Sequence, residues 1–391
     1  MEEKMKKALL AAALMSAGVV AHAQSSVTLY GRLDAGIEYM SGVPTGANAN
    51  GAANGSTNRW KAESGDWGTS LWGLKGVEDI GGGNKVLFQL EGSFNTMTGS
   101  GPGGGGLFNR WATVGLSNDQ YGTFTMGRML FISNGVWDFD PFGQSNWSSA
   151  SLVRGRNWPQ SSNNFAYQSP KIAGFDFYGQ YALSNATSWN GNGTTAQGRE
   201  AGAQITYTNS LFQIRGMYDE IRNPANGALY GPQVGIINPA GPNGTADGGV
   251  FSASREYSAM FNIFLGQFKI QGAYQAVRSA GATGVLPGQP TTLDHEWGGV
   301  TWQATPAAAL IAAVYHVNGN NGAGNATIYT VGGSYNLSKR TLFDLQVASV
   351  RNSRNANFGL NANNPGLSTA TDNPLPGRAQ TGVYAGIQHS F

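Results

Sequence analysis

The chain has 391 residues, no cysteine, 58 glycines, 11% aromatic and 12% charged residues, and a formal net charge of +2. That near-neutral balance excludes a basic nucleic-acid-binding domain, and the lack of cysteine excludes a disulfide-stapled secreted module. Few charges with many aromatics are also the reverse of what a disordered chain needs, so a folded protein is expected.

The first predicted element is an export signal. Met5-Lys-Lys7 is a basic start, Ala8 to Val20 is apolar, and Ala21-His-Ala23 is a small-x-small cleavage site, so residues 1–23 read as a signal peptide. The apolar run falls short of the roughly 20 residues that a membrane-crossing helix needs, and no longer apolar window follows. A secreted protein, a periplasmic protein and an outer-membrane barrel remain open.

From Ser26 onward the chain alternates. Val27, Leu29, Leu33, Ala35, Ile37 and Tyr39 share one parity, and Thr28, Tyr30, Arg32, Asp34 and Glu38 share the other, which is a strand with one apolar and one ionic face. The pattern returns through Val86 to Phe94, Phe175 to Tyr181, Phe212 to Tyr218, Tyr257 to Ile263, Phe268 to Tyr274 and Val383 to Phe391. Sixteen candidate strands emerge, each about ten residues long, the length that crosses a hydrocarbon core at the tilt of a barrel. Two stretches resist assignment: Ala308 to Val317 is apolar on both parities, and in Asp294 to Trp302 the outward set is ambiguous. The pairs Gly298-Gly299 and Gly332-Gly333 suit bends or close backbone approach.

Connections alternate in kind. Tight ones fall at 79–84, 117–120, 170–174, 208–210, 264–267, 304–307 and 337–341, whereas long Gly/Asn/Pro-rich ones fall at 40–66, 96–107, 129–162, 184–197, 221–252, 277–293 and 351–379, with a shorter one at 318–325. In an antiparallel sheet this puts a smooth rim opposite a looped rim, as in an outer-membrane barrel with short periplasmic turns and long external loops. A soluble β-sandwich or propeller would alternate similarly. It is disfavoured by the cleavable signal, by charges where a sandwich needs its core, and by strand-end aromatics such as Tyr30, Tyr39, Tyr121, Tyr181, Tyr207, Tyr218, Tyr257 and Tyr335.

The connection 129–162 is unusually long and aromatic, with Trp137, Trp147 and Trp158, the carboxylates Asp138 and Asp140, and the arginines Arg154 and Arg156. A loop of this length is functional or marks a wrong strand assignment. Catalytic chemistry is not expected. His22, His295, His316 and His389 lack metal-ligand spacing, and Gly101 to Gly106 and Gly81 to Gly83 open no helix, so no metal, cofactor or enzyme is expected.

Taken in order, several runs resemble the Gram-negative general porins of the β-proteobacterial type. They are Ser26-Val-Thr-Leu-Tyr-Gly31, Gly73-Leu-Lys-Gly76 with Glu78-Asp79 and Gly81-Gly-Gly83, Gln89-Leu-Glu91, Phe108-Asn-Arg110, Val114-Gly-Leu116, Gly127-Arg128, Ser169-Pro170, Leu337-Ser-Lys-Arg-Thr341 and Gly386-Ile-Gln-His-Ser-Phe391. The resemblance covers the mature chain, 24–391. It implies an all-β, sixteen-stranded antiparallel transmembrane barrel, a homotrimer in outer-membrane lipid and lipopolysaccharide, with a third external loop folded into the lumen. It also implies a water-filled channel for passive diffusion of small hydrophilic solutes and ions, and a terminal Phe391 read by the assembly machinery.

By position, the third loop is 129–162, Asp138-Phe-Asp-Pro-Phe-Gly143 is its acidic turn, and Arg32 and Arg128 are wall arginines. The expected constriction set is Arg32, Lys75, Arg128, Asp138 and Asp140, with Arg154 and Arg156 on the loop's return. For the two carboxylates a purely turn-forming role stays open. Two family arginines are replaced here, by Leu71 and Ala166, so the sign of ion selectivity is not carried over. Arg128 shares parity with Phe124 and Met126, which calls for a bulge near Gly127. Two other readings stand beside the general channel: a channel preferring sugars or aromatic solutes, suggested by the loop tryptophans, and a surface adhesin or receptor using the external loops.

Overall fold

The computed structural model describes residues 26–47, 53–101, 106–143, 145–153, 160–183, 199–222, 253–280, 290–360 and 372–391. The expected signal peptide, Arg154, Arg156 and Trp158 lie outside the described residues.

The strands in chain order are β1 (Ser26–Ala47), β2 (Ala53–Ser64), β3 (Leu71–Gly81), β4 (Asn84–Ser93), β5 (Trp111–Asn118) and β6 (Gly122–Leu130). They continue with β7 (Gln160–Gln168), β8 (Phe175–Ala182), β9 (Arg199–Thr208), β10 (Phe212–Arg222), β11 (Ala253–Leu265) and β12 (Phe268–Ala280). The last are β13 (Thr292–Gln303), β14 (Ala308–Gly319), β15 (Gly324–Asn336), β16 (Thr341–Asn352) and β17 (Gln380–Ser390). All pairings are antiparallel, and β1 closes the sheet on β17 from Arg32↔Ser390 to Met40↔Gly382.

Seventeen segments make a sixteen-stranded wall because β2 and β3 are one broken strand. The first half of β1 pairs with β3, from Ser26↔Val77 to Arg32↔Leu71, and its second half pairs with β2, from Ala35↔Ser64 to Ala47↔Ala53. Gly65 to Ser70 bridge the break. The sheet thereby closes on itself between β1 and β17 instead of ending in two free edges, which is what a strand wall needs to cross lipid. The expected long connection 40–66 is corrected by the same pairing: the hairpin carries strand structure up to Ala47 and resumes it at Ala53.

The alternation sorts side chains as the sequence suggests. Val27, Leu29 and Ile37 are exposed on the outside, whereas Asp34 and Glu38 are fully buried inside. Tyr121, Tyr218, Tyr257 and Tyr335 are outward and exposed. Tyr30 is not part of that girdle; its hydroxyl donates inward to Glu91 at 2.8 Å.

Much of the apolar core lies inside the barrel. Phe131, Ile132, Val136, Phe139, Phe142, Trp147 and Leu152 of the third loop pack on inward side chains including Met217, Met260, Trp297, Tyr315, Ile328 and Tyr384. This explains why β14 reads as apolar on both parities: Tyr315 and Val317 lie under the loop, while Leu310 and Val314 face outward. In β13 the usual distribution is reversed, with Leu293 and Trp297 buried inside and Glu296 exposed outside.

Candidate functional site: the lumen and its third loop

β6 ends at a glycine bulge. Gly127 has φ +125°, and a Cβ there would stand 2.1 Å from the Ala112 carbonyl oxygen, so the position admits only glycine. The β6–β7 register shifts between Gly127 and Met129, and Met129 is buried while Met126 is exposed. The bulge called for by the parity of Arg128 is therefore present. Beyond it the chain turns inward at Phe131 into a short 3-10 helix, Ile132–Phe139.

The loop then follows the inner wall. Ile132 occupies the space beside Gly202 of β9, where a Cβ would lie 2.4 Å from its Cγ2. On β10, Arg215 donates from one terminal nitrogen to the Gly135 carbonyl and to the Asp138 carboxylate, each at 2.8 Å, and from Nε to Thr206 at 3.0 Å. Its guanidinium also lies 4.8 Å from the Phe139 ring centroid. Asn262 of β11 and Gln271 of β12 donate to the Asp138 carbonyl at 3.1 and 3.2 Å. Trp297 of β13 donates to the Phe139 carbonyl at 2.9 Å.

Asp140 holds the next turn together. Its carboxylate accepts from the Phe142 amide at 2.9 Å, the Ser149 amide at 3.0 Å and the Tyr315 hydroxyl of β14 at 2.6 Å. Burial pushes its carboxyl pKa up, partly offset by the bonds from Ser149, Tyr315 and Phe142. Further on, Thr330 of β15 and Gln346 of β16 donate to the Trp147 carbonyl at 3.3 and 3.0 Å. The Trp147 ring meets Tyr384 of β17 edge-on at 6.5 Å. Asn146 ends the arc by donating to Asp66, at the β2–β3 break, at 2.6 Å. Burial, with Glu38 and Glu63 nearby, pushes the Asp66 carboxyl well up.

Wall glycines make room for this arc. A Cβ on Gly299 would stand 2.7 Å from Pro141, one on Gly332 3.1 Å from Phe142, and one on Gly382 2.6 Å from Trp147. Of the two glycine pairs, Gly299 and Gly332 approach the loop as well as the adjacent strands, whereas Gly333 approaches only β14 and Gly298 meets nothing within 4 Å.

The arc covers β9 to β17 and leaves the inner face of β3 to β6 accessible. Tyr315, Thr330, Gln346 and Tyr384 beneath the loop are buried, whereas Lys75 and Val77 are exposed and Leu87, Gln89, Trp111, Thr113 and Thr125 are half-exposed. The open space of the lumen accordingly lies between the loop and β3–β6. β3 stands eight places from β11 in the ring of sixteen, so the two faces oppose each other across the lumen.

The expected site residues do not form one cluster. Lys75 lies on the open face, its ammonium 5.2 Å from the Tyr30 ring centroid, with no ion-pair partner among the described residues. Arg32 donates to the Thr69 carbonyl at 2.9 Å, and Arg128 to the Asn109 carbonyl and the Ser162 hydroxyl at 2.6 and 2.7 Å. Asp138 is on the facing side, with its side chain 60% exposed and paired with Arg215. Asp140 departs from the expected lumen-lining position: it is 3% exposed and directed into the loop and wall, because its oxygens serve the turn and Tyr315.

Arg215, Lys269 and Arg110 were absent from the expected set. Lys269 of β12 lies within electrostatic reach of Asp138, and Arg110 donates to Glu91 at 2.6 Å. Inward parity on β10 and β12 was the signal available for Arg215 and Lys269. Among the described residues no three His, Asp or Glu side chains are grouped to hold a metal ion. The buried His295 instead has Nδ1 2.9 Å from Gln275. Trp147 packs the loop on the wall, and Trp137 is partly buried against the same core.

Comparison with known proteins gives a consistent result. Residues 8–355 match the model of the Gram-negative porin family. An outer membrane porin protein of Bordetella pertussis is 33% identical over 269 residues, which is 65% of this chain and 69% of that protein. Outer membrane porin protein 32 of Delftia acidovorans is 28% identical over 401 residues, 99% of this chain and 100% of that protein. Among solved structures, an anion-selective porin from Comamonas acidovorans superposes with TM-score 0.73 at 22% identity, covering 94% of this chain and 100% of its own. The trimer form of OmpT from Vibrio cholerae superposes with TM-score 0.63 at 11% identity, covering 94% and 99%.

Proposed function

We infer, from the premise that the chain belongs to the Gram-negative porin family and is an outer-membrane diffusion channel, that its passage favours small anions. Transport is passive, follows the solute gradient and involves no catalytic step. The observation that carries the anion reading is the distribution of accessible charge. Lys75 has no carboxylate partner on the open face, while Asp138, the exposed carboxylate of the 3-10 segment, is neutralised by Arg215 and lies within reach of Lys269. Opposed fixed charges across a narrow opening order water and bias the permeant ion, and here the uncompensated one is positive. Arg32 and Arg128 add cationic character on β1 and β6; Asp140 contributes by shaping the loop.

The reversal potential of the reconstituted channel in a potassium chloride gradient tests this. A chloride-preferring sign is expected and should weaken on Lys75→Gln; a potassium-preferring wild type would overturn it. Residues 1–23 act in this reading as the cleaved export signal and Phe391 as the assembly signal, its backbone closing the barrel through two 3.1 Å bonds with Gly31. The assembly is read as a homotrimer, supported by the trimeric neighbour, and a large heat-labile band on a denaturing gel is its test.

A further inference from the structure

Beside the narrow passage, the open wall carries a concavity of about 320 Å³ that the diffusion role does not require. It is built by register. Thr28↔Lys75, Lys75↔Gln89 and Gln89↔Thr113 are consecutive cross-strand pairs on β1, β3, β4 and β5, so these side chains form one row on the inner face. Trp111 stands two residues from Thr113 on β5, and Thr125 of β6, paired with Gly115, stands on the other side of the row. Gly115 also lines the concavity, and a Cβ there would stand 2.7 Å from the Phe124 carbonyl oxygen and 3.0 Å from the Thr125 hydroxyl, so the close approach of β6 at this point requires glycine. The volume is at the lower end of the roughly 300–1,000 Å³ typical of small-molecule sites, enough for one ring and not for a chain of them.

We propose that this concavity is a binding subsite for small aromatic monocarboxylates, which the channel concentrates on their way through. The proposal rests on the anion reading above. Lys75 supplies an ammonium without a carboxylate partner among the described residues, and a carboxylate is the charge that completes it. The half-buried Trp111 indole in the lining supplies the aromatic surface that accepts a planar ring, while the Tyr30 ring, 5.2 Å from the Lys75 ammonium, positions that charge. A neutral sugar is disfavoured because the nearby carboxylate that would hold its hydroxyls is engaged: Glu91 accepts from the Tyr30 hydroxyl at 2.8 Å and from Arg110 at 2.6 Å. The Gln89 amide nitrogen likewise donates to Tyr30 at 2.8 Å, which fixes the tyrosine ring beneath the ammonium. A single weak site of this kind speeds uptake because it raises local concentration without trapping the solute.

The test is ion-current block in the reconstituted full-length channel, with benzoate, cyclohexanecarboxylate and acetate as probes. Benzoate should reduce the current saturably at concentrations where acetate and cyclohexanecarboxylate do not. Trp111→Ala and Lys75→Gln should each raise the half-blocking benzoate concentration about tenfold, the size of one lost specific contact, whereas Trp111→Phe and Lys75→Arg should largely keep it. Equal block by cyclohexanecarboxylate would overturn the aromatic assignment, and undiminished block in Trp111→Ala would overturn the site. The potassium chloride reversal potential of the wild-type channel, measured without benzoate, separates failure of the anion reading from failure of the subsite.

Discussion

Gly382→Ala is the cleanest perturbation of the docked loop. A Cβ at this position would lie 2.6 Å from Trp147 Cη2, 2.8 Å from Cζ2 and 3.0 Å from Leu360 Cδ1, and it meets no wall backbone among these nearest atoms. Carbon atoms prefer separations of about 3.5–4.0 Å, so the indole must withdraw by about 1 Å from its place against β17. Overpacking of this kind costs about 1–3 kcal/mol, while alanine is somewhat better than glycine inside a strand, so the barrel itself is not weakened. Two kcal/mol taken from loop docking raises the undocked population roughly 30-fold. Single-channel recording should show higher and noisier conductance, with the folded barrel unchanged in its heat-modifiable gel mobility. In a Trp147→Ala background the same glycine substitution should have a much smaller effect, because the clashing ring is gone and only the flexible end of Leu360, at 3.0 Å, must give way. Equal effects of Gly382→Ala with and without Trp147 would refute the reasoning.

Three other outcomes follow from the same contacts. Asp138→Asn removes the exposed loop carboxylate and releases Arg215; a unit charge about 4 Å from an ion's path contributes about 1 kcal/mol in water, so the chloride-to-potassium permeability ratio should rise about fivefold. No change would mean that Asp138 does not border the passage. Tyr315→Phe deletes a 2.6 Å bond to a buried carboxylate, a loss of about 1.5–3 kcal/mol, and should increase open-channel noise without changing reversal potential. Acidification should tighten the loop. Asp66 and Asp140 both have carboxyl pKa values raised by burial in the folded protein, so the folded state binds protons more readily than the unfolded chain. Their contribution to stability is therefore fully present below the ordinary carboxylate range and is lost as pH rises through the raised values. Current noise should fall from neutral toward acid pH, less so in Asp140→Asn, and a rise on acidification would contradict the assignment.

The barrel was legible because a lipid-facing strand must alternate and a rim of turns must be short, and both constraints act on local sequence. The inner surface was harder to read wherever the loop covers it. Trp297, Tyr315 and Val317 are apolar and inward because they belong to a core made with residues more than a hundred positions away, so β13 and β14 gave no clear parity. Asp140 has two readings in the sequence, lumen-lining and turn-forming, for a related reason. A carboxylate before proline in an inward-folded loop can line water or satisfy the turn, and only the presence of Tyr315 opposite decides. Arg215 sat on the polar face of its strand, yet nothing local marked it among other inward polar residues; its role comes from the loop tip that reaches it. Gly382 carries no local signal, because its constraint comes from the Trp147 ring packed against it.

Thiol accessibility tests the location of the passage most directly, since the chain has no cysteine of its own. Thr113→Cys and Thr125→Cys, on the open face of β5 and β6, should react rapidly with a charged methanethiosulfonate reagent and lower the single-channel current stepwise. Thr330→Cys, buried beneath the loop at 1% exposure, should remain unmodified. Rapid block at position 330 with none at 113 and 125 would place the water path on the other side of the loop and contradict the account.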